Sequence, residues 1–465
     1  MIRFGSFQVD PRTWLLTDDG HAVDLSPRLV EIFAFIIERR GDIVTKDELL
    51  DRFWPDVHIS DNTLTRAIAD IRKAIGDDAS QPTWLETVSR RGFRFVGTAA
   101  TPPAVDPFQE WVKGRLALDS LDAGKLTDAV AAFERTTAEL PRYAPAHAGL
   151  ANGYLLQYER TRFGSAPDRD RLARAMQAAR EATTLDPALG EGWAVLGYLL
   201  CAAGRSEEGQ AAARRATALE PDNWRHHYRL AYGTWGEERL RAVDRTLASM
   251  PGFAPARMLS CMVFVARGTI DRAEREASIG VETQRQNLAD RTPLPAVGFH
   301  WLRGMILAAR GDRAGAYECL AEEIASGQSG HVYAREFVVN AHVATGFMHL
   351  ADGHSDRASA SFAEAASHPK AIVGRYAIDG VRAAVDAAIS ELAQSERHAE
   401  AALVTAGAQL VRGEIDQAIA TLDRLLTSAP AGPAGWIIPI DPMLAAIGEN
   451  AGKQALFSRL AARAA

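Results

Sequence analysis

Three cysteines in 465 residues, Cys201, Cys261 and Cys319, are too few and too scattered for a disulfide framework. No CxxC pair occurs, so neither a thiol redox motif nor a cysteine zinc site is offered. Reduced, partly buried thiols in a cytoplasmic protein are the simplest account. No apolar run approaches the roughly 20 residues of a membrane span. The opening Met-Ile-Arg-Phe-Gly-Ser-Phe shows no basic segment followed by an apolar one, so no secretory signal is visible. Positive charge is not in excess either. A net charge of −7 argues against a protein coated in nucleic acid, while leaving room for a small basic docking face.

Signatures of catalysis are equally scarce. Residues 448–454, Gly-Glu-Asn-Ala-Gly-Lys-Gln, fall one residue short of a phosphate loop, lack the following Ser/Thr, and follow no strand. They read as a helix-to-helix turn. His226-His227 and His331 lack metal-ligand spacing, and no GxSxG is present. Glu207-Glu208, Glu237-Glu238 and Glu322-Glu323 read as solvent-facing helix charges. Neither a metal nor a cofactor is expected, and an enzyme is the weakest of the readings.

What is present begins with length: 465 residues exceed a single core, and two to four domains are expected. The stretch 60–76 reads as one helix with two faces. Leu64, Ile68, Ile71 and Ile75 make an apolar stripe, while Asn62, Arg66, Ala69, Asp70 and Lys73 lie opposite. Ser60 or Asp61 can cap its start, and Gly76 sits where a left-handed stop is wanted. An ordinary surface helix would look the same in isolation, so the surroundings must decide.

Before it, Phe4, Phe7 and Val9, then 14–16 and 22–25, form short β-like runs separated by Asp/Gly turns. Ser26-Pro27 opens a helix with Leu29, Val30, Ile32, Phe33, Ile36 and Ile37 on its apolar face. Thr45 and Glu48 make a capping box for a second helix with Leu49, Leu50, Phe53 and Trp54 turned inward, and Pro55 stops it. Strands 85–88 and 93–96, joined by Ser-Arg-Arg-Gly, close the unit. This order is that of a winged helix-turn-helix, whose third helix enters the major groove. Residues 1–100 carry 13 Lys/Arg against 16 Asp/Glu, yet 87–97 hold Arg90, Arg91 and Arg94 with no acid. The positive charge is local, which suits a small footprint.

Four segments resemble the OmpR/PhoB-type DNA-binding domain, in its CadC- and HilA-like branch. They are Leu-Ser-Pro-Arg-Leu-Val-Glu-Ile-Phe (25–33), Glu-Leu-Leu-Asp-Arg-Phe-Trp (48–54), Ser-Asp-Asn-Thr-Leu-Thr-Arg-Ala-Ile-Ala-Asp-Ile-Arg-Lys-Ala-Ile-Gly-Asp-Asp (60–78) and Leu-Glu-Thr-Val-Ser-Arg-Arg-Gly-Phe-Arg-Phe (85–95). The resemblance places Trp54, Asn62, Thr87 and Phe93 where the family touches the DNA backbone or braces helix and wing. It places Thr65, Arg66, Ala69 and Asp70 on the base-facing row. Lys73, Arg90, Arg91 and Arg94 are expected on phosphates. The family often has Arg or His where this chain has Asn62, Ala67 and Ala69, and its wing arginine aligns with Ser89. Asp70 either accepts from a cytosine amino group or pairs with Arg66 or Lys73 on its own helix. No receiver domain is expected before the module, and regulation by aspartate phosphorylation has no visible machinery in this chain.

Residues 98–107, Thr-Ala-Ala-Thr-Pro-Pro-Ala-Val-Asp-Pro, read as a linker between a DNA-binding domain (1–97) and a helical region (108–465). Laid in frames of about 34 residues, that region shows the tetratricopeptide (TPR) pattern. The clearest frame starts at Gly190, with Trp193, Leu196, Gly197, Leu200, Gly204, Gly209, Ala213, Ala216 and Pro221. Other frames start at 110, 144, 224, 254, 297, 339 and 399, with extra residues near 163–170 and a stretch, 370–398, that fits none. The fold class expected is therefore an α+β winged helix followed by an all-α TPR-like solenoid. Its concave face would take a protein or peptide partner, or a second copy, as in a homodimer on DNA. The function expected is a cytoplasmic regulator of transcription bound to double-stranded DNA. The alternative is a TPR adaptor whose winged helix makes protein contacts.

Overall fold

The computed structural model describes residues 2–10, 13–39, 41–54, 61–97, 107–162, 167–290, 296–328 and 330–465. Pro55, the Ser60 cap, linker residues 98–106 and residues 163–166 lie outside them. Two compact units emerge. One gathers residues 1–116, 128–150 and 178–192; the other gathers 117–127, 151–177 and 193–465.

The first unit opens with an antiparallel meander of β1 (Ile2–Phe4), β2 (Phe7–Asp10), β3 (Leu15–Asp18) and β4 (His21–Ala22). Alternation fixes its register, with Val9 opposite both Ile2 and Leu16 and all three buried. β4 ends at Ala22, so 23–25 extend no strand. Then come α1 (Pro27–Glu38), β5 (Val44–Thr45), α2 (Lys46–Phe53), α3 (Asp61–Ile75), β6 (Leu85–Val88) and β7 (Gly92–Phe95). Pro27 occupies the first turn of α1, and the Thr45/Glu48 capping box opens α2. Leu49 and Phe53 are buried, whereas Leu50 and Trp54 are half-buried. β7 is central in a three-stranded sheet, paired with β5 as well as β6. The two residues of β5 were not legible in the sequence, because so short a strand has no periodicity.

Phe4, Phe33, Trp84 and Phe95 form an aromatic cluster with edge-on contacts around Phe4 at 5.2–5.6 Å. This unit also includes part of the first helix pairs. The Trp14 indole donates to the Tyr143 hydroxyl, and Phe108 meets Trp14 edge-on at 4.9 Å. Arg115 makes two hydrogen bonds with the Glu191 carboxylate, at 2.6 and 2.7 Å.

Every frame read from the sequence coincides with a helix pair. The Gly190 frame is Gly190–Ala202 with Ser206–Leu219; the frame at 224 is Trp224–Gly233 with Gly236–Ser249. Turn glycines Gly204, Gly268, Gly311, Gly353 and Gly413 have positive φ, though Gly124 does not. The frame at 144 carries part of its extra length in its helices, since Ala144–Glu159 and Arg169–Leu185 are longer than their counterparts in the Gly190 frame. Residues 370–398 form a further pair, Pro369–Asp379 and Arg382–Gln394. Phe362 is wholly buried between Gly346 and Gly374, where a Cβ would lie 2.4 and 2.1 Å from its ring. One large residue facing two small ones thus joins three successive helices. Cys261 and Cys319 are buried, Cys201 is half-buried, and all three are free thiols.

Among the described residues no helix is long and apolar enough to cross a membrane, and no group of His, Cys, Asp or Glu could hold a metal. Residues 448–454 form a turn into the helix Ala451–Arg463, capped by the Asn450 side chain accepting from the Lys453 amide.

Candidate nucleic-acid interface

α3 has the two faces that its spacing predicts. Leu64, Ala67, Ile68, Ile71 and Ile75 are buried, while Thr63, Thr65, Arg66, Ala69, Asp70 and Lys73 are exposed. The outward row is thus two bases, one acid and small residues, with no large apolar group to desolvate. Gly76 ends the helix with φ +64°, a left-handed conformation in which a Cβ would be strained. The side chain of Asn62 lies outside the described residues.

The end of α3 organises the wing. Asp77 accepts from the backbone amides of Thr83 (2.7 Å), Trp84 (3.2 Å) and Leu85 (2.7 Å), fixing where β6 begins. Arg72 donates from Nη2 to the Leu85 carbonyl and the Thr87 hydroxyl, both at 2.7 Å, and from Nε to the same carbonyl at 3.3 Å. Partial burial holds this guanidinium below its ordinary pKa, opposed by nearby Asp77. These two residues were missed by the sequence reading. Arg72 belongs to neither the apolar stripe nor the outward row, and such intermediate positions are where braces between elements arise.

At the wing tip Arg90 adopts φ +60°, and Arg90, Arg91 and Ser89 are exposed. The other expected residues divide. Thr87 is exposed but its hydroxyl accepts from Arg72, so it links helix to wing. Phe93 is buried opposite Thr87 and Val44, which makes it a brace whose ring does not reach the surface. Arg94 was expected on phosphate, but it donates to Glu86 from the neighbouring strand, with Nε to Oε2 at 2.9 Å. The acid-free count of 87–97 overlooked a carboxylate one residue upstream that the antiparallel register sets opposite. Asp70 is exposed on the same face as Arg66 and Lys73, and among the described residues no ion pair joins it to either. Trp54 is half-buried, with the Arg28 guanidinium 5.1 Å from its ring centroid.

The arrangement offers a helix face of groove-compatible residues flanked by a hairpin tipped with two exposed arginines. Residues 20–95 match the family described as "Transcriptional regulatory protein, C terminal". They form an OmpR/PhoB-type winged-helix domain. Over 97 residues the chain is 28% identical to the transcriptional activator CadC of Escherichia coli (strain K12), covering 21% of this chain and 19% of that protein. Over 87 residues it is 31% identical to the transcriptional regulator HilA of Salmonella typhimurium, covering 18% and 16%. The chain therefore spans less than a fifth of either relative's length. The solved DNA-binding domain of E. coli CadC aligns at 25% identity over 22% of this chain and 95% of that one, with a TM-score of 0.20.

Proposed function

We propose that this protein is a sequence-specific, double-stranded DNA-binding regulator of transcription. Residues 1–97 serve as the DNA-binding domain, 98–107 as the linker, and 108–465 as the TPR-like partner or effector region. α3 enters the major groove with Thr65 and Arg66 towards base edges, and Ala69 and Asp70 on the same row. Asp70, which is exposed, would accept from a cytosine amino group. Lys73, Arg90 and Arg91 contact phosphates, and the wing lies on the backbone or in the minor groove. The observation that carries this reading is the exposed outward row of α3, backed by its buried stripe. The family match over residues 20–95 takes in α3 and the wing. The concave side of the helix pairs would take a protein or peptide, or a second copy on DNA. Action in the cytoplasm fits this role.

Selection of genomic fragments by the full-length protein at low salt, followed by gel shift on the enriched sequence, tests the proposal. A recovered motif bound better than its scrambled version supports it. Failure to retain any duplex at low salt overturns it in favour of an adaptor role.

A further inference from the structure

The helical region of the second unit contains a polar cluster that the DNA-binding reading does not use. Glu159 ends its helix and is 3% exposed. Its Oε2 accepts from Arg162 Nη1 at 2.7 Å and from the Tyr198 and Tyr333 hydroxyls at 3.3 and 3.4 Å. Its Oε1 is buried and accepts from nothing. Native structures rarely leave a buried carboxylate oxygen without a donor, and a bound group is one way to supply it. Glu336 lies 4.0 Å from the other terminal nitrogen of Arg162, so two carboxylates share one guanidinium. Burial pushes both acids up, Glu336 to about 7, with Arg162 opposing in each case. Geometrically, two carboxylates face the one guanidinium of Arg162, at 2.7 and 4.0 Å. One wall is flat: the Tyr198 and Tyr232 rings stack at 3.9 Å with 17° between planes. Arg162, Tyr232, Tyr333 and Glu336 keep partial exposure at the rim of the cluster.

We infer that this cluster is a binding pocket for a small molecule carrying a guanidinium group. A guanidinium is planar, so it can extend the tyrosine stack, and it is weakly hydrated, so enclosure costs it less than an ammonium. Its forked donors can give one N–H to the vacant oxygen of Glu159 and another to Glu336. An anion would meet two carboxylates, and a neutral amide would bring no charge to either of them. The inference concerns a different site from the DNA interface and holds or fails without DNA.

Calorimetric titration of the full-length protein at neutral pH with methylguanidine, methylammonium and N-methylurea tests it. Expected is saturable binding of methylguanidine, at least about tenfold tighter than methylammonium, with no binding of N-methylurea. Protons should be released on binding, so the measured enthalpy should vary with the buffer. Glu159→Gln risks misfolding, so Glu336→Gln, at a side chain that is 22% exposed, is the primary variant. It should fold, melt cooperatively, and bind about tenfold or more weakly. Equal binding of methylammonium, undiminished binding by folded Glu336→Gln, or no saturable binding of methylguanidine at millimolar concentration each overturns the proposal.

Discussion

Replacing Arg72 by alanine should loosen the wing from α3 without touching the outward row. Arg72 makes short bonds to the Leu85 carbonyl and the Thr87 hydroxyl, with a weaker third from Nε. Hydrogen bonds from charged donors contribute about 1.5–3 kcal/mol each before context is considered. The group is only partly buried, and water can replace the outer bond to exposed Thr87, so roughly 1–2 kcal/mol in all is the expected loss. Asp77 still anchors the start of β6, so the wing should stay folded but less fixed. In a domain of about 100 residues that loss corresponds to a fall in melting midpoint of roughly 4–16 °C. Arg72→Lys should recover only part, because an ammonium cannot present a fork to two acceptors. Lys73→Ala, exposed on the adjacent position, should melt like the parent. Denaturant unfolding followed by hydrogen exchange of the β6 amides reads the wing directly, since Arg72 donates to the Leu85 carbonyl within β6. If Arg72→Ala and Lys73→Ala unfold at the same denaturant concentration, the brace contributes nothing and the reasoning is refuted.

Arg66→Ala should lower discrimination between the selected site and a scrambled duplex by about 1–3 kcal/mol; an unchanged ratio in competitive gel shifts removes Arg66 from base reading. Arg91→Ala should weaken all duplexes alike and reduce the slope of log K against log salt by about one, whereas Arg94→Ala, already held by Glu86, should change it less. Phe362→Ala should destabilise the helical region by about 3–5 kcal/mol, because Gly346 and Gly374 cannot fill the space; a melt within one degree or so of the parent contradicts this. Burial holds His331 down to about 4 and His368 to about 3. Each is neutral when folded and charged when unfolded in mild acid, so the stability they contribute is complete above about pH 6.5 and is lost as pH falls towards those values. Raised Glu31 and Glu336, both at about 7, act oppositely between about 4.5 and 7. His368→Asn, which can still cap its helix, should therefore flatten the acid side of the stability profile measured by urea unfolding.

The elements of the winged helix were legible because each is marked by local chemistry. Pro27, the Thr45/Glu48 box, the stripe of α3 and Gly76 act within one or two turns of chain. The helix pairs were legible for a related reason: a repeated unit stacks the same way each time, so its small and large residues recur at fixed offsets. The pair at 369–394 escaped because it lacks that spacing, its packing glycine meeting Phe362 of the preceding pair instead.

Sequence alone thus determined which residues of α3 face inward and where the helices pair, since both follow from period and local caps. Tertiary structure decided which charges are available. Arg72 and Arg94 look as free as Arg66 and Arg91 in the sequence, yet a strand register and a helix end bring the first two to Thr87 and Glu86. It also decided that Glu159, Arg162 and Glu336 meet, although 174 positions separate Glu159 from its hydrogen-bond donor Tyr333. Such encounters depend on how distant segments pack, and no short-range periodicity encodes them.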